Sequence, residues 1–273
     1  MRAALRAVLA CLLCVACGGN PFPAELRVGV YADIPGIGER DAAGRWSGFE
    51  ITLVEQVLHR LGTRASFRAV TAEERDARLL GGELDLVVAT YSITDERIAR
   101  GIAFTVPYLL SYQDILIRGT DAEVIRTVAD LRGRRVCTGP PNATPYQHLA
   151  SVNRGQDLGI EIVTRASSSP LCVDLLMAGT VDAVVSDAAI LSASVLRHPG
   201  LRLAGTRIWP RPEQYAFGLA GPAAARTERL DAAIREMVAD GSWRRALIDS
   251  FCPGGGEPPC HTAQVFLKYP PTA

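Results

Sequence analysis

Residues 84–97, L-D-L-V-V-A-T-Y-S-I-T-D-E-R, read as a buried strand from Leu84 to Ala89 that opens into a hydroxyl-rich turn and a helix start carrying one arginine. A parallel-sheet strand is covered on both faces and needs a near-continuous apolar run, and ligands of such sheets bind just beyond the strands' carboxyl ends. Thr90, Ser92, Thr94 and Arg97 therefore stand where a ligand would. The arginine offers a planar fork of donors that matches a carboxylate, and hydroxyls with free backbone N–H groups at a helix start complete an anion cradle. On these residues alone, a helix cap at Ser92 or Thr94 followed by a solvated first-turn arginine reads equally well.

Outward from this stretch, strand-like and helix-like segments alternate. Leu26 to Val30 is a short apolar strand. Gly48 to Leu61 sets Phe49, Leu53, Val57 and Leu61 at helical spacing and ends at Gly62. Ser66 to Val70 reads as a strand and Ala72 to Leu80 as a helix closed by Gly81-Gly82. This is βαβαβ, the pattern of a doubly wound sheet. It restarts with a strand over Arg134 to Cys137, a loop from Thr138 to Pro145 and a helix from Tyr146. A strand over Ile160 to Thr164, a helix over Leu171 to Met177 and a strand over Val181 to Val185 follow, the last closing on Ser186-Asp187. L-D-L-V-V in the first half has V-D-A-V-V as its counterpart in the second. Asp85 and Asp182 fall at equivalent turns and read as structural. Two such lobes facing one another bring Arg97 and Asp187 to one cleft, an opposite charge for each end of an amino acid.

The amino terminus carries Arg2 and Arg6, an apolar run from Ala7 to Ala16, then Cys17-Gly18-Gly19. That is the pattern of an export signal over residues 1–16, too short to span a bilayer as a helix. Cleavage there leaves about 255 residues, enough for one large domain or two ordinary ones. Cys17 after a small residue resembles a bacterial lipoprotein cleavage site, in which that cysteine is acylated. With Cys11 and Cys14 in the leader and Cys17 acylated, Cys137, Cys172, Cys252 and Cys260 remain. An even remainder in an oxidising compartment suggests two disulfides. Four cysteines allow three connectivities, and because Cys252 and Cys260 flank a Pro/Gly-rich loop that closes on itself easily, the pairing expected is 137 with 172 and 252 with 260. With 4 histidines and no C-x-x-C spacing, neither a metal site nor a cofactor is expected. The 29 basic residues balance the 29 acidic ones, and no basic run points to nucleic acid.

In V-G-V-Y-A-D-I-P-G-I-G (28–38), G-F-E-I-T-L (48–53), L-D-L-V-V-A-T-Y-S-I-T-D-E-R (84–97), F-T-V-P-Y (104–108), V-A-D-L-R-G-R-R-V-C (128–137), C-V-D-L-L-M-A-G-T-V-D-A-V-V-S-D (172–187) and M-V-A-D-G-S-W (237–243), the chain resembles the bacterial extracellular solute-binding proteins of family 3. These are the amino-acid receptors of ABC importers. Among them it is most similar to the actinobacterial glutamate-binding lipoproteins. The resemblance implies an α/β, two-lobed periplasmic-binding-protein fold of type II, each lobe a doubly wound sheet, joined by a two-segment hinge. Lobe 1 then comprises residues 25–111 and 207–251, lobe 2 residues 112–206, with a lipidated linker at 17–24 and a tail at 252–273 holding the small disulfide loop. It also implies roles. Arg97 grips the ligand α-carboxylate with help from Thr144, and Asp187 takes the α-ammonium together with Ser92 and the carbonyl of Thr90. Tyr31 and Asp33 face the ligand side chain. Cys137 and Cys172 fall where the glutamate-binding branch carries a disulfide. One departure stands out. The second-lobe loop, glycine, serine, threonine in relatives, is Pro140-Pro141-Asn142-Ala143-Thr144 here, and proline has no N–H to donate.

The expectation is an exported monomer, in the periplasm or held by its lipid at the outer face of the cytoplasmic membrane. It captures an amino acid, glutamate or a related polar one, and delivers it to an ABC-transporter permease. The alternative is a lipoprotein that senses the amino acid and signals through a membrane partner. An enzyme is not expected, since catalysis needs a general acid or base beside the ligand carbons and the only cleft acids, Asp187 and Asp33, are taken up by binding. Arg100, three residues beyond Arg97, is expected to lie outside the cradle.

Overall fold

Two five-stranded sheets with one strand order between them organise the chain. The computed structural model describes residues 21–164 and 169–251. The expected leader, Cys17 and the Cys252–Cys260 pair lie outside the described residues. In lobe 1 the sheet runs Arg64–Ala69, Glu25–Val30, Leu86–Val87, Gly218–Ala220, Ile102–Phe104, and in lobe 2 it runs Glu161–Thr164, Arg135–Thr138, Ala183–Asp187, Gln113–Arg118, Leu201–Leu203. In each, the first three strands are parallel and the fourth is antiparallel to both its neighbours. Each fourth strand is the first that its lobe receives after the chain crosses over. The crossing segments Leu109–Ser111 and Glu213–Tyr215 pair antiparallel with each other, so the hinge is a two-stranded ribbon.

The paired aspartates hold the two sheets in the same way. Asp85 accepts the backbone N–H of Arg27 at 2.8 Å and Asp182 that of Arg135 at 2.9 Å, and each carboxylate also meets its arginine's guanidinium. The strand expected over Leu84 to Ala89 is shorter as a ladder, Leu86–Val87. Flanking bonds from Asp85 N–H to Arg27 and from Val88 N–H to Gly29 extend it. Past Val88 the chain leaves the sheet because Thr90 adopts φ 42°, the left-handed region that a β-branched residue rarely enters.

Two helix starts differ from expectation, each for a local reason. Thr71 and Glu74 cap each other reciprocally, which uses up that turn, and the helix covers Arg75–Leu80. The lobe 2 helix begins at Thr144, not Tyr146, because Pro145 is preorganised for a first helical turn. Lobe 1 has one large apolar core about Leu53, Val54, Val87 and Phe217. Alternation along Gln113–Arg118 splits the lobe 2 core in two, Ile115 and Ile117 on one face and Leu116 on the other. On that second face the Cys137–Cys172 disulfide ties a central strand to the helix Ser169–Met177.

Candidate functional site

The carboxyl ends of both sheets open onto a cleft of about 610 Å³, its solvent-filled mouth included. From lobe 1 it is lined by Tyr31, Ile34, Arg75 and Thr90, and from lobe 2 by Thr144 and Asp187 among others. A smaller recess of about 250 Å³ adjoins it through the shared residue Thr144 and is lined by Asp76, Arg97 and Arg100. Of the residues expected at the site, Tyr31, Thr90, Thr144 and Asp187 line the main cavity. Arg97 lines the recess. Ser92 is buried behind them. Asp33 is exposed on its short strand and outside the lining, where its neighbour Ile34 faces in.

Arg97 is 3 % exposed although it lies in the first turns of a short helix capped by Thr94, whose hydroxyl accepts the Arg97 N–H at 3.2 Å. The cap reading holds for Thr94, but the arginine that follows it is buried and not solvated. Its Nη1 donates to the Ser92 carbonyl at 2.7 Å, its Nε approaches Asp76 at 3.4 Å, and its guanidinium lies 4.6 Å from the Tyr91 ring centroid. Burial, and then the neighbouring Arg75, pull its pKa down.

Arg75 is a second buried arginine, and nothing in E-E-R-D-A-R marks it, since that run reads as a solvated helix face. It donates through Nη1 to the Tyr31 hydroxyl at 2.9 Å and to the Ala89 carbonyl. Its Nε is buried without a hydrogen bond, 4.0 Å from Asp76, and its guanidinium lies 4.8 Å from the Tyr91 centroid. The backbone beside it is held by Glu50, which accepts the Thr90 N–H at 2.7 Å and the Tyr108 hydroxyl. Burial pushes the Glu50 carboxyl up to about 7.

Across the cleft Asp187 ends the strand Ala183–Asp187, paired with Gln113, the first residue of the neighbouring strand. Its Oδ2 accepts the Tyr215 hydroxyl, and its Oδ1 is buried without a hydrogen bond of good geometry, the Gln113 side chain being its nearest polar neighbour. Burial, and then the nearby Glu213 carboxylate, push Asp187 up to about 8. Glu213 is itself raised by burial and accepts from Gln113 Nε2 at 3.1 Å. His148 approaches Glu213 at 3.4 Å and stacks on Trp209. With its pKa lowered to about 4 by burial, the ring is neutral near pH 7, and the contact is polar rather than an ion pair. A buried acid lining the same cavity as Arg75, with Arg97 in the adjoining recess, suits a ligand that carries charge of both signs.

Among the described residues, two side-chain polar contacts bridge the lobes at the rim of the cleft. Asn142 of the Pro140-Pro141 loop donates from Nδ2 to the Ala72 carbonyl at 2.8 Å, and Arg197 pairs with Glu39 at 2.7 Å. Among the described residues no group of three or more His, Cys, Asp or Glu is placed to hold a metal, and no helix is long and apolar enough to cross a membrane.

The family described as bacterial extracellular solute-binding proteins, family 3, matches residues 26–248. A glutamate-binding protein of Corynebacterium efficiens is 30% identical over 264 residues, 89% of this chain and 87% of that one. The histidine-binding periplasmic protein of Salmonella typhimurium is 26% identical over 233 residues, 82% and 86% of the two chains. Among solved structures, an ancestral arginine-binding protein bound to arginine superposes with a TM-score of 0.75 at 27% identity, over 84% of this chain and 99% of that one.

Proposed function

Because the chain belongs to the bacterial extracellular solute-binding proteins, family 3, we propose that it is an amino-acid receptor whose ligand is acidic, glutamate before aspartate. One observation carries this reading: two buried arginines on lobe 1 line a cleft and its recess, and the opposite wall holds the buried acid Asp187. Arg97 takes the α-carboxylate with the Thr144 end of the lobe 2 helix, where free N–H groups favour an anion. Arg75, with Tyr31, takes the side-chain carboxylate. Asp187 takes the ammonium, helped by the oxygens of Thr90 and Ser92. The glutamate-binding relative supports the choice of ligand.

Arg97 and Asp187 stand on different lobes, so only the closed form satisfies both ends of the ligand, and binding shifts the population toward closure by that difference in affinity. Closure of two lobes about a two-stranded hinge approximates a rigid rotation. The closed receptor, exported and anchored through an acylated Cys17, presents the amino acid to an ABC-transporter permease.

A thermal-shift screen of the ligand-free protein against the twenty amino acids tests the reading. Glutamate is expected to give the largest shift and aspartate the next. Arg75→Ala is expected to erase the advantage of glutamate over glutamine. A largest shift with lysine, histidine or leucine would refute the acidic ligand.

A further inference from the structure

Asp76 is 5 % exposed, and three arginines surround its carboxylate. Oδ2 accepts Arg100 Nη1 at 3.1 Å and lies 3.4 Å from Arg97 Nε, while Oδ1 accepts the Tyr91 hydroxyl at 2.8 Å and lies 4.0 Å from Arg75 Nε. Burial raises the Tyr91 phenol well above its ordinary pKa, so it remains a donor to Asp76. Its ring meanwhile lies beside both buried guanidiniums. Arg100 is thus not outside the cradle, since it shares a carboxylate oxygen with Arg97.

This arrangement has a geometric and an electrostatic consequence. With Asp76 on its Nε side and Ser92 on one Nη1 hydrogen, Arg97 presents its Nη1–Nη2 edge to a ligand. Asp76 also lines the recess next to Arg97 and Thr144, so its fixed negative charge sits in the wall of the site. Three guanidinium charges against one carboxylate leave two positive charges in excess, one for each carboxylate of a dicarboxylic amino acid. We infer that Asp76 is a specificity-determining residue of the cleft: it sets how much of the positive charge of Arg75, Arg97 and Arg100 is left to a ligand, and hence the ranking of acidic, neutral and basic side chains. The inference rests on the amino-acid reading above, but its sign does not depend on which amino acid the parent prefers.

Asp76→Asn is isosteric, keeps an oxygen for Tyr91 and removes the charge. A unit charge a few Å from the ligand in a partly screened cavity changes affinity by about tenfold. Calorimetric titration of the parent and the variant with glutamate, glutamine and arginine is therefore expected to show glutamate about tenfold tighter, glutamine changed by less than about threefold and arginine weaker by about tenfold. Arg100→Gln, at a half-exposed position that keeps the fold intact, removes a positive charge from the same carboxylate and is expected to move glutamate the other way, by about threefold because solvent screens it more. A glutamate-to-glutamine ratio unchanged in both variants, or all three ligands shifting in parallel, would make Asp76 a structural ion-pair partner and overturn the inference. A parent that prefers arginine would sink the acidic-ligand reading alone, since Asp76→Asn must then still weaken arginine. A parent that binds none of the three contradicts both.

Discussion

In lobe 1 both arginines of the cleft stand on fixed partners: Ser92 and Asp76 hold Arg97, Tyr31 and Ala89 hold Arg75, and one tyrosine ring lies beside both. In lobe 2, built on the same strand order, the corresponding strand ends in Asp187, with one oxygen on Tyr215 and the other without a hydrogen bond of good geometry, beside Gln113. Lobe 1 holds its two guanidiniums on several fixed partners, although Arg75 Nε is left without a hydrogen bond, whereas lobe 2 brings one carboxyl with a single hydroxyl donor. The difference assigns roles. On the proposed reading, a ligand docks first on the guanidiniums of lobe 1, and Asp187 on lobe 2 meets its ammonium when the lobes close. Preorganised donors lose little on binding, while a buried oxygen without a good hydrogen bond is costly until it is met.

The strongest way to break this asymmetry is to remove its anchor. Truncating one partner of a buried charge pair costs about 2–5 kcal/mol, roughly 30-fold to 5,000-fold in affinity, and Arg97→Ala is expected to lose at least that much glutamate binding by calorimetry. Its melting temperature without ligand is expected to fall as well, because the change strips a guanidinium from the buried Asp76 carboxylate, so affinity is read on protein shown to be folded by circular dichroism. Parent-like affinity in a folded Arg97→Ala protein would move the carboxylate site to the loop from Thr138 to Thr144.

A change of pH sharpens the same contrast. Asp187, pushed up to about 8 by burial and by Glu213, keeps its proton at pH 7 in the ligand-free protein. Its folded pKa lies above the unfolded value, so the folded state binds the extra proton and ligand-free stability falls as pH rises from about 4 to about 8. Glu50, raised to about 7, acts in the same direction. Because the ligand ammonium needs the carboxylate, affinity is expected to climb between pH 6 and 8 by up to about tenfold per unit and then level off. Titrations at pH 6, 7 and 8 check this, and Asp187→Asn should flatten the dependence. An equally steep climb in that variant would place the titrating group elsewhere.

The smallest expected effect lies at the rim. Asn142 donates across the cleft to Ala72, so the Pro140-Pro141 departure gives lobe 2 a closing contact that does not need a ligand. A single hydrogen bond contributes about 1 kcal/mol, and Asn142→Ala is expected to weaken binding by about threefold to fivefold. Solution scattering of the ligand-free variant should show a larger radius of gyration than the parent. Unchanged affinity and size would mean that the contact does not bias closure.

What could be read in the sequence follows the strand grammar. Arg97 and Asp187 follow from V-V-A-T and V-V-S-D, because a buried strand announces itself by its apolar run and its carboxyl end locates the site. Arg75, Asp76 and Glu50 could not be found that way. The first two lie in a charged helical run whose burial comes from Tyr31 and Tyr91 closing over it, and Glu50 lies on a helix whose other buried positions are apolar. The left-handed Thr90 is hidden for a similar reason, since the carboxylate that accepts its N–H lies 40 residues away. Asp33 misleads by position: it flanks Tyr31 in the first turn after a strand, yet strand alternation turns Ile34 inward in its place.

The division of labour between the lobes is tested most directly by a calorimetric cycle that deletes the same contact from either side. Glutarate keeps both carboxylates of glutamate and lacks the ammonium. On the parent, glutarate is expected to bind about 100-fold more weakly than glutamate, the cost of leaving one partner of a close charge pair unmet. On Asp187→Asn that penalty should shrink to less than about threefold, with glutarate itself binding nearly as it does to the parent. A penalty that persists undiminished on Asp187→Asn would contradict the account, because the ammonium would then be held by something other than Asp187.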